Sequence, residues 1–151
     1  MSEMLVRRMT QGDSERASKA LATLKPTGER RGREVAPEGM NAFLADDRNL
    51  LLVAEDAGRP IAYLVAYLLD RVDRDVPMVL LYEIEVSPSA RRRGVGRRLV
   101  DELTRIGREH RVCKIWVLTD RGNEAARRLY RSAGGSEIGA NLLIEWAEET
   151  G

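Results

Sequence analysis

The sequence predicts a single α/β domain over residues 1–151, a mixed sheet covered by helices. Three observations predict it. Short apolar runs alternate with longer segments of helical period, in the order strand, two helices, three strands, helix, strand, helix, strand. A β-α-β unit runs from Pro77 to Thr119, which demands a parallel pair in a chain otherwise built of hairpins. Hydrophobic residues make up 43% of the 151, enough for a core at this length.

Each element has its own signal. "EMLVRRM" reads as a first strand. "TQGDSERASKALATLK" opens on capping residues and places Ala17, Leu21 and Leu24 at helical spacing. Residues 26–39 are rich in Pro, Gly and charge and read as a mobile surface loop. "PEGMNAFLADD" reads as a short second helix with Pro37 near its start. "NLLLVAED" and "PIAYLVAYLLD" flank "AGR" as a hairpin, and "PMVLLYEIEVS" follows as a fourth strand. "GVGRRLVDELTRIGREH" is the longest helix, with Val95, Leu99, Leu103 and Ile106 as its apolar stripe. "CKIWVLT" is the fifth strand, "NEAARRLYRSAG" a helix stopped by Gly134 and Gly135, and "ANLLIEWA" a last strand.

Composition excludes several classes. The formal charge is +1, from 25 basic and 24 acidic residues, so the chain lacks the overall basic bias of a dedicated nucleic-acid binder. One cysteine, Cys113, and one histidine, His110, rule out a disulfide framework and speak against a metal site. His110 ends the long helix among charges and is expected in solvent; Cys113 is expected as buried filler. The N-terminus has no signal-peptide core and no apolar run approaches a membrane span, so a cytoplasmic protein with no membrane or nucleic-acid partner is expected.

Against that balanced background, "ARRRGVGRRLV" puts five arginines and two glycines into residues 90–100. It lies between the fourth strand and the long helix. Gly94 and Gly96 permit backbone conformations and close approaches that a side chain would block. The first amides of a helix have no internal partners and lie at the positive end of its dipole. Such a place can hold a phosphate. A charged turn with a glycine-capped helix is the plainer reading, and an RNA-binding helix a third, for which few aromatics lie nearby. A dinucleotide loop would want a third glycine where Leu99 stands, and a P-loop would want Gly-Lys-Ser/Thr.

"RRRGVG" after "YEIEVSPSA" resembles the R/Q-x-x-G-x-G/A signature of the GCN5-related N-acetyltransferases, through Arg91, Gly94 and Gly96. "NEAARRLYRSAG" is similar to the family's N-x-x-A-x-x-L-Y-x-x-x-G, with Asn123, Ala126, Leu129, Tyr130 and Gly134 in register. Gly135 departs from the family's frequent Phe. The resemblance implies a mixed six- to seven-stranded sheet with about four helices, whose fourth and fifth strands splay to admit acetyl-CoA. Over residues 43–146 the chain is further similar to aminoglycoside 3-N-acetyltransferases of type I, through Tyr82-Glu83, Val86-Ser87, Asp120 and Gly122. In that subgroup the pair is Tyr-Asp, and Glu83 is longer by one methylene. A homodimer is the family-based expectation.

What the resemblance implies about residues is specific. Ile84, Glu85 and Val86 would bind the pantetheine arm through their backbone, and Arg91, Arg92, Arg93, Gly94, Val95, Gly96 and Arg97 would hold the pyrophosphate. Tyr130 would be the general acid for the departing thiolate, and Asn123 would bond the coenzyme or cap its helix. Strand alternation puts Tyr82, Ile84 and Val86 on one face and Leu81, Glu83 and Glu85 on the other. A carboxylate in a central strand either pairs with an arginine or serves a cleft. For Glu83 the functional reading is a general base in the acceptor cleft, with Tyr82, Asp120 and Glu145 completing the binding of a small polycationic amine. For Tyr130 the competing reading is a core tyrosine, accompanied by Ala126, Leu129 and Ala133. The expected activity is direct acetyl transfer to an aminoglycoside, conferring resistance. Alternatives are a polyamine, metabolite or protein amine as acceptor, or a non-catalytic acetyl-CoA-binding module.

Overall fold

The computed structural model describes residues 3–24, 35–140 and 142–146. Five strands form one sheet in chain order: β1 (Met4–Arg8), β2 (Asn49–Asp56), β3 (Arg59–Leu69), β4 (Met78–Val86) and β5 (Ile115–Val117). Neighbours are antiparallel except β4 and β5, the parallel pair expected of the Pro77–Thr119 unit. The helices are α1 (Ser14–Leu24), α2 (Pro37–Leu44), α3 (Val95–Glu109) and α4 (Glu124–Ser132). Most of the loop expected over 26–39 lies outside the described residues.

Local chemistry sets the element ends. Asp13 accepts hydrogen bonds from the Thr10 amide at 2.9 Å and the Thr10 hydroxyl at 3.1 Å, closing the turn that leads into α1. The Thr10 amide bond holds the Asp13 carboxyl below its ordinary value. Between β2 and β3, Ala57 and Gly58 both have left-handed φ, +51° and +77°, as a tight hairpin turn requires.

The sheet separates two cores. On one face Leu50, Leu52 and Leu64 pack against Val95, Leu99, Leu103 and Ile106 of α3. On the other Leu51, Val53 and Val65 pack against Ala17 and Ala20 of α1 and Met40 and Leu44 of α2. Central strands buried on both faces explain why "NLLLVA" is continuously apolar and does not alternate. Each fully buried leucine of these layers contributes about 1.5–3 kcal/mol.

Two expectations about strands are corrected. The sheet has five strands among the described residues, where six to seven were expected, and "ANLLIEWA" is not one of them. Its residues 140 and 142–146 are exposed and make no sheet pairing. Strand propensity is realised only against a partner edge. Here Arg127 and Arg131 grip Glu137 at 2.7 and 2.9 Å, holding the chain beside α4 where it leaves that helix. The fifth strand is also shorter than "CKIWVLT", with only Ile115–Val117 in the ladder.

Candidate active site

The site is built around a break in the sheet. β5 pairs with β4 only at Val79–Ile115, Leu80–Trp116 and Leu81–Val117. Beyond Leu81, β4 continues to Val86 while β5 has ended. The break coincides with a β-bulge: Val65 of β3 pairs with Glu83 and the next residue, Ala66, with Leu81, so Tyr82 is the extra residue. A bulge bends its strand and shifts the side-chain alternation by one.

That shift overturns the expected faces of β4. Leu81 belongs with Ile84 and Val86 on the α3 side, and Tyr82 stands apart from them. Tyr82 instead stacks edge-on against Tyr67, ring centres 5.7 Å apart, and Tyr67 stacks likewise on Phe43 at 6.1 Å. Tyr67 belongs to the α1/α2 core, so Tyr82 lies on that side. Strict alternation is a rule for a regular strand, and the inserted residue breaks it.

Glu83 is on the α1/α2 side too. The hydroxyl of Tyr63, a fully buried residue, donates to Glu83 Oε1 at 2.9 Å. Tyr63 faces Glu85 in the strand register, so this bond runs diagonally across the β3–β4 pair. Burial raises the Tyr67 phenol above its ordinary value, with smaller contributions from Tyr82 and the Glu83 charge. Tyr63, Tyr67 and Phe43 were not singled out from the sequence. They sit within apolar runs that signal only core, and the diagonal pairing exists only once β3 and β4 are in register.

The arginine-rich loop lies at the head of α3. Gly94 is the residue before the helix and has φ +75°, and Arg92 also lies in the left-handed region at φ +65°. The first helical bond into α3 joins the Arg98 amide to the Gly94 carbonyl, which leaves the amides of Val95, Gly96 and Arg97 ahead of the helical ladder. Gly96 has a different reason to be glycine: a Cβ there would meet Leu129 of α4 at 3.0 Å. The arginines divide by partner. Arg93 pairs with Asp56 at 2.9 Å, Arg97 with Asp101 at 2.9 Å, and Arg98 donates to the Met4 carbonyl at 2.9 Å. The side chains of Arg91 and Arg92 have no hydrogen-bond or ion-pair partner among the described residues.

Tyr130 lies on the opposite side of the sheet from Glu83. It is half-buried on α4 and packs with Leu129 and Ala133 against the α3 core. Burial pushes its phenol above the ordinary value of 10, so it is protonated throughout the neutral range. Gly135 donates its amide to the Tyr130 carbonyl at 2.8 Å, and a Cβ at 135 would come within 2.9 Å of that oxygen. Asn123 caps α4, its Oδ1 accepting from the Ala126 amide at 3.1 Å.

The remaining acidic residues are not gathered in. Asp120 is exposed in the turn before α4, and Glu145 is exposed on the C-terminal segment that is not a strand. Neither has an ion-pair or hydrogen-bond partner for its side chain among the described residues. His110 is exposed at the C-terminus of α3, as expected. Cys113 is only partly buried and lies 3.5 Å from a guanidinium nitrogen of Arg71, so it is not the sealed filler that was expected.

Comparison with known proteins places the fold in a family. The model of the acetyltransferase (GNAT) family matches residues 18–134. The N-alpha-acetyltransferase RimI of Mycobacterium tuberculosis (strain ATCC 25618 / H37Rv) is 35% identical over 104 residues, 68% of this chain and 62% of that protein. The chain thus spans under two thirds of that relative's length. Among solved structures, the aminoglycoside acetyltransferase HMB0005 from an uncultured soil metagenomic sample superimposes with a TM-score of 0.81 at 22% identity, covering 96% of this chain and 99% of that one. The structure of AAC(6')-Iy in complex with a bisubstrate analogue gives 0.79 at 22% identity, covering 97% and 99%. At such identities the structural likeness is one of fold.

Proposed function

The chain belongs to the acetyltransferase (GNAT) family, and from that premise we propose that it transfers an acetyl group directly from acetyl-CoA to an amine. The acceptor in this reading is a polycationic aminoglycoside, and the sequence resemblance favours its 3-amino group. The observation that carries the proposal is the break beyond Leu81–Val117, with Glu83 on one side of the sheet and Tyr130 on the other. A group lying in that break is open to a base from one face and an acid from the other.

The residues present fit the coenzyme. Arg91 and Arg92 have uncommitted guanidinium groups, and the amides of Val95, Gly96 and Arg97 stand at the positive end of α3. Arg93 and Gly94 shape that loop, and the Ile84–Val86 backbone, with Glu85 between, would receive the amide-rich arm beside the break. Asn123, already the α4 cap, would in this reading also bond the coenzyme arm. Bound acetyl-CoA would supply a thioester as acetyl donor.

The chain's own groups meet the other demands. An alkylammonium has a pKa near ~10 and must lose a proton to attack a carbonyl. Glu83, held by the Tyr63 hydroxyl, is suited to attract the ammonium and take that proton, directly or through water. Tyr67 lies close enough for the Glu83 charge to act on its phenol, and the face of such an aromatic ring, not its edge, attracts a cation. Tyr130 would donate a hydrogen bond to the departing sulfur. Its phenol is a weaker acid than a thiol, whose ordinary pKa is about 8.5, so stabilisation by hydrogen bonding dominates over full proton transfer.

A second reading has its own support: the 35% identity to RimI favours the α-amine of a protein N-terminus as acceptor. In either reading a cytoplasmic enzyme and a homodimer are the expected form. The deciding experiment is a coenzyme-release assay with aminoglycosides, polyamines and N-terminal peptides. Turnover restricted to peptides would replace the aminoglycoside reading, and release with no amine would end both.

A further inference from the structure

The division of the arginines suggests more than a store of positive charge. Arg93 and Arg98 both reach back from the head of α3 to one place on the sheet. Arg93 holds the Asp56 carboxylate at 2.9 Å, and Arg98 holds the Met4 carbonyl at 2.9 Å. Met4 and Asp56 are direct register partners on β1 and β2, so the two arginines grip the same rung of the ladder. Asp56 is well buried for a carboxylate, with 16% of its side chain exposed, while Arg93 is 44% exposed. Between the two grips lie Gly94 and the first residues of α3. Just before them lies Arg92, a non-glycine residue in the left-handed region at φ +65°. Such a conformation is disfavoured for a residue with a side chain and persists only where the surroundings impose it.

We propose that Asp56 is a positioning residue for the coenzyme: through Arg93 it latches the 91–94 loop to the β1–β2 edge in the shape that presents the α3 amides to a pyrophosphate. The inference rests on the acetyl-CoA reading above. It separates two jobs within one arginine run. Arg93 and Arg98 hold the loop, and Arg91 and Arg92 remain to meet the ligand. A loop that must be ordered at the moment of binding loses affinity to that ordering, so a latch raises affinity without touching the reacting atoms. Its effect must therefore fall on the pyrophosphate and not on the acetyl-bearing end.

The test uses Asp56→Asn, which keeps shape and removes charge, with two donors: acetyl-CoA and S-acetylpantetheine, which lacks the pyrophosphate. The KM and the calorimetric Kd for acetyl-CoA should rise about tenfold. The kcat at saturating acetyl-CoA should stay within about twofold, as expected for a residue away from the chemistry. Turnover of S-acetylpantetheine should not change. Asp56→Glu should recover part of the loss, and adding Asp56→Asn to Arg93→Gln should weaken acetyl-CoA no further than Arg93→Gln alone. An unchanged acetyl-CoA Kd in folded Asp56→Asn would overturn the latch. So would an equal loss toward both donors, or additive losses in the double variant. If Asp56→Asn does not fold, Asp56→Glu with the same two donors decides the question. Wild-type protein that binds no acetyl-CoA would instead overturn the coenzyme reading itself, which the calorimetry of the unaltered chain reports separately.

Discussion

Tyr63 and Glu83 are joined by a 2.9 Å hydrogen bond that crosses diagonally from β3 to β4, one residue past the bulge at Tyr82. The bond fixes where the carboxylate points, and the bulge fixes which face it points from. If Glu83 is the base, the charge matters more than the shape. Glu83→Gln should lower kcat/KM for the acceptor by 10²- to 10⁴-fold, the usual range for general base catalysis, and leave the acetyl-CoA Kd unchanged. Raising the pH should partly restore the rate, because more acceptor amine is then already neutral. The loss should be greater for a gentamicin-type acceptor than for a monoamine. A variant that melts lower, keeps its acceptor preference and shows no alkaline recovery would make Glu83 a structural partner of Tyr63.

Tyr63→Phe separates aim from charge. It removes only the donor, and a hydrogen bond to a charged group contributes about 1.5–3 kcal/mol. The expected outcome is a roughly tenfold fall in acceptor kcat/KM, smaller than that of Glu83→Gln, with coenzyme affinity unchanged. Steady-state kinetics against both substrates would measure it. Equal loss in the two variants would mean that Tyr63 does more than orient.

Tyr130→Phe keeps the ring packed on the α3 core and removes the hydroxyl. Coenzyme affinity should stay within a few-fold while kcat falls by about 10²-fold or more. Because burial holds the phenol above its ordinary value of 10, the wild-type rate should show no decline from Tyr130 ionisation until above that pH. A pH–rate profile run to alkaline values checks this, and full turnover in Tyr130→Phe would return the residue to a packing role.

The two glycines of the loop should respond differently. Gly96→Ala drives a methyl onto Leu129 of α4, and since that leucine's tip can yield, the cost should be about 1 kcal/mol of stability. Gly94→Asp meets open space but takes a left-handed φ of +75°, and it brings a negative charge to the proposed pyrophosphate site. Calorimetry should show loss of acetyl-CoA binding in folded Gly94→Asp and retained binding in Gly96→Ala.

Glu137 should make the α4 region acid-sensitive only at low pH. Arg127 and Arg131 lower its carboxyl from 4.5 to about 2. A depressed carboxyl contributes stability that is fully present above the unfolded value near 4.5 and is lost as pH falls toward about 2. The difference in melting temperature between wild type and Glu137→Gln should therefore be constant above pH 5 and shrink below it. Because Glu137 and Arg131 are exposed and Arg127 is only half-buried, added salt should narrow the difference at every pH.

Much of this molecule was legible in the linear chain, and the reason is local. The helix spacing of Val95, Leu99, Leu103 and Ile106, the turn at Ala57-Gly58, the cap at Asn123 and the glycine at 94 are each decided by residues within a few positions of one another. The parallel β4–β5 pair follows from the helix that must lie between them. Four features were settled only by tertiary packing. The bulge at Tyr82 reversed the alternation of β4, because the register with β3 is a property of two strands and not of one. The diagonal Tyr63–Glu83 bond depends on that same register. The arginine run separated into latch and free charge only when the head of α3 met the Met4–Asp56 rung, residues far away in the chain. And the described residues of "ANLLIEWA", 140 and 142–146, apolar enough to be a strand, form none, because a strand exists only where another edge accepts its hydrogen bonds.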